Sequence, residues 1–141
     1  MKKTPVPQGK YIPASRYKNL IYTSGMTPRI NGSLLFSGKI KVSEPIETYK
    51  EAVRLATSNA LTAARNLITD QECLEKIVTL TVFIATEEGF KAHARLADFA
   101  AEYLYEEMGE YGIGSRAAIG VASLPSDAPV EIQLVAAIAD L

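Results

Sequence analysis

The chemistry of this chain is concentrated in SRAAIGVASLPSDAPVEIQLVAAI (115–138), a small and apolar stretch that nevertheless keeps Arg116, Glu131 and Gln133. Its pattern predicts two strands, 115–123 and 129–138. Side chains alternate across a strand, so Arg116, Ala118, Gly120 and Ala122 are expected on one face and Ala117, Ile119 and Val121 on the other. The second set can pack on helices. The first cannot fill a core, and a guanidinium beside such small residues borders a space. In the last strand Val130, Ile132, Leu134, Ala136 and Ile138 form an apolar face, opposite Glu131, Gln133, Val135 and Ala137. Polar groups are therefore expected to recur on one face of both strands.

A charge on a dehydrated sheet face is costly unless it is paired. Arginine is well shaped to grip a carboxylate through two parallel hydrogen bonds. Two uses of Arg116 stand side by side at this level. It makes an ion pair, within the chain or across a subunit boundary, with an acid such as Glu131, or it holds a bound anion.

The other reactive side chains form no such constellation. His93 reads as a helix-surface residue, with a place beside the space that Arg116 borders as the alternative, and Cys73 as an ordinary thiol near the turn before a strand. There is no His/Cys/Asp cluster with metal-ligand spacing, no glycine-rich phosphate loop and no Ser-His-Asp arrangement. No metal and no tightly bound cofactor are expected.

The elements that must position these residues follow from apolar periodicity. LIYTSGMTPRINGSLLFSGKI (20–40) predicts two strands with Asn31-Gly32 as the turn, and Pro28 at an edge or in the connection. Apolar residues from Tyr49 to Leu67 recur at helical spacing, predicting a helix over 45–68 with Pro45 in its first turn and Ser43 or Glu44 as cap. KIVTLTVFIAT (76–86) is apolar on both faces and predicts an interior strand. EEGFKAHARLADFAAEYLYEEM (87–108) predicts a second helix, with acids in its first turn and Gly109 after its end. The order is β-β-α-β-α-β-β. Two helices cover only one face of such a sheet, so the other is expected to be polar or to find cover in another subunit.

The 141 residues, with no repeat, low-complexity tract or linker, predict a single domain over 1–141. A hydrophobic content of 48% with 22% charged residues is ordinary for a globular protein, and the formal charge of -1 offers no field for tracking phosphates. Nucleic acid is not the expected partner. The one cysteine fits a reducing compartment. The N-terminal MKKTPVPQGKYIP lacks the apolar stretch of a signal peptide, and no apolar run approaches bilayer length, so a cytoplasmic protein without membrane attachment is expected.

Three segments, YTSGMTP (22–28), LTVFIA (80–85) and SRAAIGVASLPSDAPVEIQLVAAI, resemble the RidA/YjgF family of reactive-intermediate (enamine/imine) deaminases. The resemblance covers nearly the whole chain, and PQGKYIPASRYKNLIYTSG looks closer to the subgroup labelled endoribonuclease or chorismate-mutase-like. It implies a chorismate-mutase-like α+β fold: a mixed β-sheet with two helices packed on one face, assembled as a homotrimer with clefts between subunits. It also implies that strands 115–123 and 129–138 are not sheet neighbours, where their sequence proximity would suggest a hairpin. Arg116 occupies the place of the family's carboxylate-binding arginine, and Glu131 that of the acid placing the attacking water. Ser24 matches the serine of the Thr-Ser-Gly segment, and Tyr11 a tyrosine thirteen positions before it. Ala118 stands where the archetype carries cysteine, and Ala94, beside His93, where it carries asparagine.

The function so implied is hydrolysis of 2-imino or 2-enamino acids to 2-oxo acids and ammonia, with Arg116 and Glu131 as catalytic residues. Tyr11, Ser24, Arg116 and Ala118 would bind the small carboxylate substrate, without a cofactor. The alternatives are a non-catalytic trimer that binds small carboxylates and, less supported by the acidic composition and lack of a histidine pair, an endoribonuclease. Chorismate rearrangement needs several cations around a dicarboxylate, and this cleft offers one clear strand arginine.

Overall fold

The computed structural model describes residues 3–141. Two longer helices, α1 (Lys50–Arg65) and α2 (His93–Met108), lie on one face of a five-stranded sheet. The strands of that sheet are β1 (Ala14–Tyr17), β2 (Leu20–Thr23), β5 (Glu72–Ala85), β6 (Ser115–Val121) and β7 (Val130–Asp140), in the order β1-β2-β7-β5-β6. The short pair β3 (Arg29–Ile30) and β4 (Ser33–Leu34) stands apart from it. No helix of the described residues is long and apolar enough to cross a membrane.

The sheet is mixed because α2 carries the chain back so that β6 joins β5 in parallel, whereas β5–β7, β7–β2 and β2–β1 pair antiparallel. A parallel neighbour needs a crossover element, and the sixteen residues of α2 provide it. β5 is thereby interior, flanked by β6 on one side and β7 on the other. The two strands of the 115–138 stretch are separated by β5 and form no hairpin, as the resemblance implied.

Between helices and sheet lies an apolar layer. Ile77, Val82, Ile84, Ile132, Leu134 and Ala136 from the strands meet Val53, Ala56, Leu61, Leu96 and Leu104 from the helices, all buried. The alanine stripe of α1 lets it approach the sheet closely. Ion pairs Arg54–Glu106 and Arg65–Glu107, each 2.7 Å, join the two helices at their exposed rim.

Four expectations change. The 20–40 segment forms β2 and then the small β3–β4 hairpin, not one long pair of strands. Its turn is the expected Asn31-Gly32, whose positive φ values of 51° and 82° suit a tight two-residue connection. The second helix starts at His93, because Glu87 is held elsewhere: its N–H donates to the Ile40 carbonyl (2.9 Å) and its Oε1 accepts from the Val42 N–H (3.0 Å). No side chain caps the helical turn after Pro45, so neither Ser43 nor Glu44 has the capping role. An additional edge strand, β1, arises from a polar segment without apolar alternation. Its Arg16 makes a bidentate pair with Glu72 at the start of β5, both contacts 2.7 Å.

Candidate active-site halves

Register places Arg116 opposite Leu80, Ala118 opposite Val82 and Gly120 opposite Ile84. Those three β5 side chains are buried beneath the helices. Arg116, Ala118 and Gly120 therefore lie on the helix-covered face, and Ala117 and Ile119 on the uncovered one. This reverses the face assignment expected from residue size. The tiny side chains are there because α2 passes over β6, and the larger Ile119, 40% exposed, points away from both helices.

The row is shaped by α2. Arg116 Nη1 donates to Asp98 Oδ1 at 2.7 Å, and its Nη2 donates to the Ala94 carbonyl at 3.2 Å. Ala94 and Asp98 are one helical turn apart, so they present to the strand together. A guanidinium has five N–H donors, and these two bonds leave others open to the surface. A Cβ at Gly120 would sit 2.7 Å from His93 Nε2, so the imidazole lies directly over the bare strand there. His93 is thus half-buried, packed over the strand, with the Phe90 ring edge-on at 5.1 Å. It belongs to the Arg116 row more than to the open helix surface.

Glu131 is on the other side of the sheet. It pairs in register with Phe83, whose neighbours Val82 and Ile84 point to the helices. Two strand spacings and a three-residue offset put its Cα about 14 Å from that of Arg116, with the side chains diverging. An ion pair between them within one chain is excluded. Glu131 is half-buried, and its carboxylate makes no hydrogen bond or ion pair among the described residues. Burial alone pushes its carboxyl above the usual glutamate range.

Gly25 explains how that carboxylate fits, since a Cβ at Gly25 would collide with it. The preceding Ser24 donates its hydroxyl to the Ile12 carbonyl (2.6 Å) and its N–H to the Pro13 carbonyl (2.9 Å). These bonds fasten the N-terminal segment against the end of β2. Tyr11 follows on that segment, its hydroxyl accepting from the Gln8 N–H at 3.0 Å. It shares a cavity of about 440 Å³ with Gly25. The structure thus gathers Tyr11, Ser24 and Glu131 around Gly25, and Arg116, Ala118 and His93 beneath α2, as two separate groups. Asp98 and Gly25 were not singled out from sequence. The i, i+4 spacing of Ala94 and Asp98 was the one signal that could have found Asp98. Among the described residues no group of three or more His, Cys, Asp or Glu is placed to hold a metal ion.

The sequence model of the family described as Endoribonuclease L-PSP matches residues 1–138. Protein TCP17 of Trypanosoma cruzi is 26% identical over 128 residues, which are 85% of this chain and 79% of that protein. A structure from Shewanella oneidensis, described as that of a candidate endoribonuclease, superposes with a TM-score of 0.85 at 25% identity, covering 96% of this chain and 90% of the other. The YjgF gene product of Escherichia coli shares the fold, with a TM-score of 0.65 at 22% identity over 95% of this chain and 92% of its own. With its fold, its strand arginine and its Val-Glu-Ile strand, the chain belongs to the Endoribonuclease L-PSP family, the family of RidA and YjgF.

Proposed function

We propose that this chain hydrolyses 2-imino and 2-enamino acids to 2-oxo acids and ammonia, in clefts between the subunits of a homotrimer. The observation that carries this reading is the separation of Arg116 from Glu131. Each is half of a site, and a cleft between copies joins them. One subunit offers Arg116, Ala118 and His93, and its neighbour Tyr11, Ser24 and Glu131. The means for assembly are present: β6 is an unpaired edge, and the uncovered sheet face exposes Tyr22, Val78 and Ile119.

In this site Arg116 grips the substrate carboxylate and so fixes the imine carbon near Glu131. Glu131 takes a proton from water as the oxygen bonds to that carbon. That proton passes to nitrogen and completes the carbinolamine; its hydroxyl then gives up its own proton through Glu131 to the nitrogen, the C–N bond breaks, and ammonia leaves the 2-oxo acid. An enamine first tautomerises to the imine, gaining a proton at its β-carbon and losing one from nitrogen. An unpartnered carboxylate with a raised pKa is a better base than an ordinary one, and works above that pKa. Ala118 leaves the wall beside Arg116 small and apolar, without a polar contact to the substrate side chain.

The test couples an amino-acid oxidase, which makes the imino acid in place, to measurement of ammonia release. Wild type should accelerate release and Arg116→Ala should not. Wild type no faster than buffer would remove the enzyme reading. Binding of 2-oxo acids that persists there, and is lost in Arg116→Ala, would mark a carboxylate-binding trimer instead.

A further inference from the structure

Four arginines are matched by acids at 2.7 Å: Arg16 by Glu72, Arg54 by Glu106, Arg65 by Glu107 and Arg116 by Asp98. Arg29 is different. Half-buried at the start of β3, it donates Nε to the Thr27 hydroxyl (3.1 Å) and Nη1 to the Gly32 carbonyl (2.8 Å). Both acceptors are neutral, so the guanidinium is oriented but its charge is not compensated among the described residues.

Arg29 faces the cavity of about 440 Å³ beneath the N-terminal segment, whose lining includes Lys3, Gln8, Tyr11, Asn31 and Asn59 but no carboxylate. That volume suits a small ligand. The cavity is also rigidly framed. Asn59 Nδ2 donates to the carbonyls of Thr27 (3.1 Å) and Arg29 (2.9 Å), turning two competing acceptors toward the helix. The Tyr11 hydroxyl already accepts from Gln8, so its own proton is free to be donated. Two cations, a phenol proton and no acid, in a concave site within one chain, make up an oxyanion receptor.

We propose that this cavity binds a small oxyanion, a carboxylate or a phosphate, with Arg29 as its principal ligand. The site is separate from the Arg116 cleft. Gly25 stands between the cavity and Glu131, and Tyr11 is the one cleft side chain common to both. Occupancy would brace the N-terminal segment, and with it Tyr11 and Ser24, against the body of the domain.

Calorimetric titration with succinate and with inorganic phosphate tests it, using the whole chain and its Arg29→Gln, Arg29→Lys and Arg116→Ala variants. Wild type should bind at least one probe, and a site for that probe should remain in Arg116→Ala. Arg29→Gln should weaken it about tenfold or more, the loss of a charge-assisted pair. A preference for phosphate surviving in Arg29→Lys would point to a point-charge site, and a loss confined to succinate to bidentate carboxylate recognition; either supports the assignment. Because Arg29 also fastens the β3–β4 turn, circular dichroism must show each variant folded. If Arg29→Gln fails that check, Arg29→Lys decides, by a change in affinity for either probe. The proposal is overturned if wild type binds neither anion, if a folded Arg29 variant set binds both unchanged, or if Arg116→Ala abolishes binding, which would place the anion in the other site. Failure of the deaminase assay leaves these outcomes untouched.

Discussion

Arg116 and Asp98 face each other across 2.7 Å, so the strand cation of the proposed cleft already holds a carboxylate from its own chain. A substrate carboxylate approaching Arg116 meets a pair that is close to neutral. Asp98 has 57% of its side chain exposed and can swing into water, which makes it a displaceable competitor as well as a tether. Exposed pairs of this kind contribute little to stability, about 0–1 kcal/mol.

Asp98→Asn should therefore tighten 2-oxo acid binding several-fold while leaving the fold intact, and Arg116→Ala should abolish it. Fluorescence or calorimetric titration with 2-oxobutyrate reads both. Weaker binding in Asp98→Asn, with Arg116 still required, would make Asp98 a positioning residue that aims the guanidinium and not its competitor.

Glu131 should show a conflict between stability and function. A carboxyl whose folded pKa lies above its unfolded one binds more protons when folded, so its contribution to stability falls as pH climbs through that interval. Glu131 has this direction, through burial. Glu131→Gln should raise the urea midpoint at pH 7, with the advantage shrinking in acid below the ordinary glutamate range. The same variant should lose ammonia release. An unchanged midpoint at pH 7 would show that the carboxylate is not penalised by its surroundings.

How far the site was legible depends on which physical signal each residue carries. Alternation along β7 marked Val130, Ile132, Leu134, Ala136 and Ile138 as one buried face, and all five are buried. The same rule grouped Arg116 with Ala118 and Gly120. It could not say which side the helices would take, because size is a poor guide when a helix passes close to a strand. That side is decided by β6 lying in register beside β5, a long-range pairing that leaves no local trace. β1 was hidden for a related reason. ASRY has no alternation to detect, and its place depends on pairing with β2 and on Arg16 reaching Glu72. Arg29 carried no signal in the sequence, since its neutral partners and the acid-free cavity around it come from the folded chain alone.

The uncovered sheet face offers a direct test of assembly. Ile119, 40% exposed in the single chain, lies in register with Phe83 and, through it, with Glu131. Ile119→Lys should place a charge in the proposed subunit contact at no cost to the monomer core. Light scattering should fall from three times the chain mass to the monomer, and ammonia release should fall with it. A trimer that persists would put the contact elsewhere.

The pair that anchors β1 has its own pH signature. Arg16 donates both hydrogen bonds to Glu72, and the Thr69 N–H adds a third at 3.0 Å. The guanidinium, chiefly, holds the Glu72 carboxyl down at about 2, well below its ordinary 4.5. A depressed carboxyl stabilises the fold above its unfolded pKa, and the contribution is lost as pH falls toward the folded value. Glu72→Gln should therefore differ from wild type at pH 7, and the two urea midpoints should converge as pH drops from about 4.5 to about 2. Because the pair joins an edge strand to the interior one, the loss should be local as well. Hydrogen exchange at the amides of Ser15 and Tyr17 should quicken in Glu72→Gln, while Val82 and Ile84 in the middle of β5 keep their protection. Equal quickening in both places would mean that β1 does not open independently of the core.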